Sequence, residues 1–181
     1  MKNIVTTLEE ILKINSPTGY TIEVINYVEN LLKDPKLFIK KTNKGSLLVS
    51  FDESPELVIS GHIDTLGAMV KHVNEDGTIA ITKIGGLELN SFEGEYVTVR
   101  NYKGEHFRGT FLLNNPASHV NKSINETKRS LDNMSIRLDE LVRNIADVKK
   151  LGIDVGDFIF YDTRFEYTKS GFIKSRFLDD K

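Results

Sequence analysis

Two short motifs hold the residues whose types and spacing could do chemistry. In Ser60-Gly61-His62-Ile63-Asp64 a histidine and an aspartate stand two positions apart, directly after the apolar run Leu57-Val58-Ile59. Residues two apart on extended backbone face the same side, so Asp64 can lie beside His62. A carboxylate that accepts a hydrogen bond from one imidazole nitrogen fixes the tautomer and leaves the other nitrogen free for a metal ion. In an α/β sheet, ligands collect at the carboxyl ends of strands, where this histidine would stand. His-x-Asp arises often by chance, and a structural or turn-capping histidine is the alternative. The second motif is Leu178-Asp179-Asp180. Adjacent acids are commonly just solvated charge; beside an apolar strand, one can bridge two cations while backbone geometry sets the other.

Composition narrows the chemistry further. The 181 residues include no cysteine, which removes disulfides, thiolate zinc sites and cysteine nucleophiles together. Any transition-metal site must therefore draw on the 4 His and 26 Asp plus Glu. Against those acids stand 24 Lys plus Arg, a net charge of -2 with no basic patch, so no nucleic-acid partner is expected. The apolar runs fall far short of the roughly 20 residues a membrane helix needs. Met1-Lys2-Asn3 leads into an amphipathic segment without a signal-peptide core, so the expected location is cytoplasmic, with no membrane partner. There is no Gly-x-Ser-x-Gly elbow for a serine hydrolase, and Gly85-Gly86 lacks the pattern of a phosphate cradle, leaving tight backbone packing as its reading. His72, His106 and His119 read as structural or surface residues, and Glu93 and Glu95 as solvated charge.

The elements that must position these groups follow from periodicity. Ile4, Leu8, Ile11 and Leu12 share a helical face, and Thr6 precedes Glu9 at capping-box spacing, predicting a helix from about 6 to 14. Ile22, Ile25, Val28, Leu31 and Leu32 predict a second, stopped by Asp34-Pro35. Short strands are expected at Leu37–Ile39, Leu47–Phe51 and Leu57–Ser60. From Ala68 onward strands crowd together at 68–73, 78–84, 96–101 and 105–113 with Gly-containing turns, the texture of a small all-β barrel. Residues 114–131 read as a mobile loop or a segment ordered on assembly. A helix is expected over 139–151, ending at Gly152, and strands return at Phe158–Tyr161 and Arg164–Tyr167.

Taken jointly, Ser16-Pro17-Thr18-Gly19-Tyr20, Gly61-His62-Ile63-Asp64-Thr65-Leu66-Gly67, Ile84-Gly85-Gly86, Gly152-Ile153-Asp154-Val155-Gly156-Asp157 and Phe177-Leu178-Asp179-Asp180-Lys181 resemble the N-terminal half of the M42-family metallo-aminopeptidases. This is the glutamyl or deblocking aminopeptidase group, also called endoglucanases. The resemblance implies an α/β fold: a partial α/β aminopeptidase domain, phosphorylase/hydrolase-like, at 1–66 and 165–181, with an inserted all-β barrel assembly domain at 67–164. It implies that His62 is a metal ligand, Asp64 its supporting catalytic carboxylate, and Asp179 the carboxylate bridging two divalent metal ions, zinc or cobalt, with Asp180 a neighbour. The substrate implied is a peptide, cleaved at its N-terminal residue, and the assembly a homo-oligomer from dimer to dodecamer. Family members continue past the Asp-Asp motif with a Glu-Glu pair, a further acidic ligand and a last histidine, none of which is present here. One histidine and one bridging aspartate cannot hold two ions tightly, so the chain alone is expected to bind metal weakly and to be inactive. A non-catalytic assembly or regulatory module of such a peptidase complex is the alternative. A glycosidase is the weakest, since no carboxylate pair stands out for it. A half-sheet without partner strands is expected to expose apolar surface and open edges, beside a well-ordered barrel.

Overall fold

The computed structural model describes residues 3–179 and Lys181; Met1, Lys2 and Asp180 lie outside the described residues, and so does the expectation attached to Asp180. The chain divides into two units, one formed by residues 1–65 and 163–181 and the other by 66–162.

The first unit opens with α1 (Ile4–Lys13) and α2 (Ile22–Leu31). Helix α1 begins two residues before the expected start, because the Asn3 side chain accepts from the Val5 amide at 3.1 Å and caps the first turn that Thr6 was expected to cap. The buried side chains of the pair are Leu12, Val24 and Ile25. Next comes an antiparallel ribbon of β1 (Phe38–Lys41) and β2 (Leu47–Ser50), turned at Gly45, whose φ of 87° suits glycine. The strand expected at Leu57–Ser60 does not form: these residues are irregular and exposed, and among the described residues no strand pairs with them. A β-rich run needs a partner ladder to become a strand, whatever its propensity. At the other end of the sequence, β9 (Glu166–Tyr167) and β10 (Ile173–Lys174) make a second two-stranded ribbon.

The second unit is a closed six-stranded barrel in the order β3-β4-β7-β6-β5-β8, antiparallel throughout. Its strands are β3 (Gly67–Val73), β4 (Ile79–Ile84), β5 (Tyr96–Arg100), β6 (His106–Leu113), β7 (Met134–Leu138) and β8 (Phe158–Tyr161). Alternation sends Val97 and Val99 of β5, and Phe111 and Leu113 of β6, into the interior. Strand β7 completes the closure between β4 and β6 and was not foreseen. A Cβ at Gly109 would come within 2.7 Å of the Arg137 carbonyl oxygen, so only glycine admits the close approach of β6 to β7 there. Gly85 holds a φ of 78°, the left-handed region that favours glycine, so backbone conformation rather than packing accounts for the first glycine of the Gly-Gly pair.

The helix expected over 139–151 and the solvated charge expected at Glu93 need correction. The helix expected over 139–151 is only α3, Ile145–Lys150. Asn144 caps it by accepting from the Asp147 amide, and Leu141, counted as part of its apolar face, is fully exposed. Residues 114–131 form a succession of turns. Arg129 anchors them, donating to Glu93 Oε2 at 2.7 Å and to the Ile124 and Thr127 carbonyls at 2.9 Å. Glu93 is therefore a half-buried ion-pair partner, not solvated charge.

Candidate functional site

His62, Asp64 and Asp179 all belong to the first unit. The local frame for the first two is the Ser16-Pro17-Thr18 loop between α1 and α2. Pro17 and Thr65 form an isolated parallel bridge, the Thr65 amide donates to the Ser16 carbonyl at 2.8 Å, and the Thr18 amide donates to the Thr65 carbonyl at 3.2 Å. Ser16, almost wholly buried, also donates through its hydroxyl to the Ile63 carbonyl at 3.2 Å. Residues 63–65 are thus held extended by a loop whose proline has its φ preset and needs no amide partner. That extended backbone is what brings His62 and Asp64 to the same side.

His62 Nδ1 lies 3.1 Å from Asp64 Oδ1 and 3.3 Å from the Asp64 carbonyl oxygen. Both neighbours are acceptors, so in the neutral ring they favour the proton on Nδ1 and the lone pair on Nε2. The second carboxylate oxygen, Oδ2, accepts from the Thr18 hydroxyl. His62 Nε2 is 3.9 Å from Asp179 Oδ1, beyond hydrogen-bond reach. The Asp179 side chain is 97% exposed and that of His62 53%, so the pair opens to solvent. Two residues before Asp179, Phe177 has a φ of 61°, a left-handed conformation that costs a bulky side chain about 1–2 kcal/mol.

A cation stands close by. Lys181 Nζ donates to Ser16 Oγ at 2.9 Å, and burial pushes the ammonium down to about 8 against the opposing attraction of Asp64. Ser16, Thr18 and Lys181 were not singled out by chemistry in the sequence. The signal for the first two was turn-forming Ser-Pro-Thr between two helices; Lys181 stood only as the last residue of the Phe-Leu-Asp-Asp-Lys motif. His72, His106 and His119 lie in the barrel unit and are exposed.

The donors present fit a zinc- or cobalt-like ion in kind: an imidazole nitrogen freed by its carboxylate partner, and a carboxylate oxygen. They do not fit in number. Among the described residues no group of three or more His, Asp or Glu side chains could hold a metal ion. Asp64 already faces His62 through one oxygen and accepts from Thr18 through the other, which suits it to support the histidine.

The M42 glutamyl aminopeptidase family model matches residues 45–181. YhfE of Bacillus subtilis strain 168, a provisionally named aminopeptidase, is 46% identical over 177 residues, covering 96% of this chain and 51% of its own length. The lysyl aminopeptidase of Pyrococcus furiosus is 22% identical over 176 residues, covering 96% of this chain and 50% of the relative. Among solved structures, the TET1 peptidase of Pyrococcus horikoshii, described as assembling into a tetrahedron or a large octahedral shell, superposes with a TM-score of 0.78 at 19% identity, over 98% of this chain and 52% of that one. The chain spans about half the length of the curated relatives it matches. A family match across more than three-quarters of the sequence, joined to a relative at 46% identity, establishes that the chain belongs to the M42 glutamyl aminopeptidase family.

Proposed function

We propose that this chain carries one side of the metal site of a dinuclear aminopeptidase that removes N-terminal residues from peptides. His62 and Asp179 act as metal ligands, with Asp64 as the carboxylate behind the histidine. The observation that supports this most is the orientation of His62: Nδ1 is turned into Asp64 and Nε2 faces Asp179 at 3.9 Å. A divalent ion, when bound, supplies Lewis-acid polarisation of the scissile carbonyl and acidifies a water. The chain's own contribution is to hold the Nδ1 proton, keep Nε2 available and present a solvated carboxylate beside it. The remaining ligands and the glutamate that would take a proton from water are not among these residues, so catalysis needs groups outside them.

In this reading the chain comprises a partial α/β catalytic domain at 1–66 and 165–181, interrupted by a barrel at 67–164 that serves assembly. The two-unit division and the closed barrel support that arrangement. The shells described for the Pyrococcus horikoshii peptidase support a homo-oligomer. A second reading, a non-catalytic assembly module, is favoured by the contrast between a finished barrel and a site with two free donors.

Zinc and cobalt titration of the purified chain by calorimetry, followed by assay on aminoacyl peptide substrates, separates the readings. Weak divalent-ion binding is expected, abolished by His62→Ala and by Asp179→Asn, with no turnover by the chain alone. Turnover should appear on adding the half of the Bacillus subtilis relative that this chain does not match. Tight binding of two ions by the chain alone would overturn the incomplete site, and binding indifferent to both substitutions would overturn the ligand assignment.

A further inference from the structure

We propose that Thr18 is a positioning residue that fixes the tautomer of His62 through Asp64, an inference that rests on the reading of His62 as a ligand. A carboxylate turns easily about its last torsion, because that rotation is broad and roughly two-fold. An aspartate tied at one oxygen only can therefore swing off the imidazole it supports. Asp64 is tied at both: Oδ1 faces His62 Nδ1 at 3.1 Å and Oδ2 accepts from the Thr18 hydroxyl.

Thr18 is itself held. Its amide donates to the Thr65 carbonyl at 3.2 Å, the preceding Pro17 is bridged to Thr65, and the Tyr20 amide closes the turn on the Pro17 carbonyl at 2.7 Å. Its β-branch limits χ1, so the hydroxyl has few directions to point. The same loop thus grips the 63–65 backbone through Ser16 and the Asp64 side chain through Thr18. The result is a three-residue line, from Thr18 hydroxyl to Asp64 carboxylate to His62 imidazole, that leaves Nε2 unprotonated.

Thr18 is exposed, so Thr18→Val keeps its shape and removes only the hydroxyl, without opening the core. The test needs neither metal nor turnover. Long-range proton–nitrogen correlation spectra of the nitrogen-15-labelled chain at about pH 8.5, above the ordinary imidazole range, report which ring nitrogen carries the proton. The intact chain should show His62 mainly as the Nδ1–H tautomer. Thr18→Val should lower the ratio of Nδ1–H to Nε2–H about fivefold, the effect of one hydrogen bond, and Thr18→Ser should restore it. Unchanged amide signals of Leu12, Val24 and Ile25, buried in the same unit as the site, will show in each variant that folding is not the cause. Should Thr18→Val disturb those signals, Thr18→Ala, which also lacks the hydroxyl, replaces it and should shift the ratio as far. A ratio unmoved by Thr18→Val in a folded chain, or a predominant Nε2–H form in the intact chain, would overturn the proposal. A failure here with normal zinc binding refutes the role of Thr18 alone. A normal tautomer response with no zinc binding refutes the ligand reading instead.

Discussion

In the barrel, Ile79, Ile81, Val97, Val99, Phe111, Ile136 and Ile159 are wholly buried, whereas in the flanking unit Leu57, Val58 and Ile59 are 78%, 76% and 89% exposed. The residue types are the same: β-branched and large apolar side chains in short β-prone runs. Their fates differ because closure gives every barrel strand two neighbours and an inside, so each apolar side chain has somewhere to go. Among the described residues the flanking unit has only two-stranded ribbons, and an isolated hairpin is marginal in water. Apolar content therefore does not measure a core. The number of partners each strand finds decides whether the residue contributes stability or is left as exposed surface.

The largest expected effect tests the barrel side of that contrast. Phe111→Ala empties the barrel centre, where the ring packs edge-on against Tyr161 at 6.1 Å. It should cost about 3–5 kcal/mol in urea unfolding followed by barrel amide signals. A loss under about 1 kcal/mol would mean that the barrel interior is loosely packed.

A smaller effect is expected at the β3–β4 turn. The Asp76 carboxylate lies below its ordinary range because it accepts first from the Thr78 amide, at 3.0 Å, and then from the Thr78 hydroxyl, at 2.7 Å. Asp76→Ala should cost about 1 kcal/mol at neutral pH. A carboxylate depressed in the folded state contributes stability above its unfolded value of 3.8, lost as pH falls through the lower folded value. The gap between parent and variant should therefore hold down to about pH 4 and close below it. A gap that widens on acidification would reverse the sign of this account.

The smallest effect belongs to the flanking unit. Replacing Leu57, Val58 and Ile59 together by Ser, Thr and Thr should change stability by less than about 0.5 kcal/mol, since nothing is uncovered that was covered. The same change should reduce concentration-dependent association in sedimentation and light scattering. A loss of several kcal/mol would show that this run is packed after all, and the contrast between the two regions would fail.

Much of the barrel was legible in the sequence. Period-two alternation and Gly-containing turns gave β3, β4, β5 and β6 nearly to their ends. Strand β7 was missed: Asp132-Asn133 marks a turn just before it, but Met134–Leu138 is a short run at the end of a long polar stretch and becomes a strand only by pairing with β4 and β6. The opposite error arose at Leu57–Ser60, where high β-propensity had no ladder to join. Among the candidate residues, His62 and Asp64 were nominated by their spacing, and Asp179 by its apolar flank and by the family pattern. Thr18 was not, because its partner is 46 residues away along the chain. Glu93 likewise read as free charge until Arg129, 36 residues later, came to meet it.

The sequence alone determined the donor inventory. With no cysteine and few histidines, any metal chemistry had to rest on imidazole and carboxylate, and extended backbone put Asp64 on the same side as His62. Only the tertiary structure decided which imidazole nitrogen faces the carboxylate, that Asp179 comes within 3.9 Å of the other, and that a threonine from the first loop ties the arrangement down. Spacing along a chain constrains neighbours within a few residues. Contacts between distant segments depend on which strands and loops find each other, and that is settled by packing the whole unit.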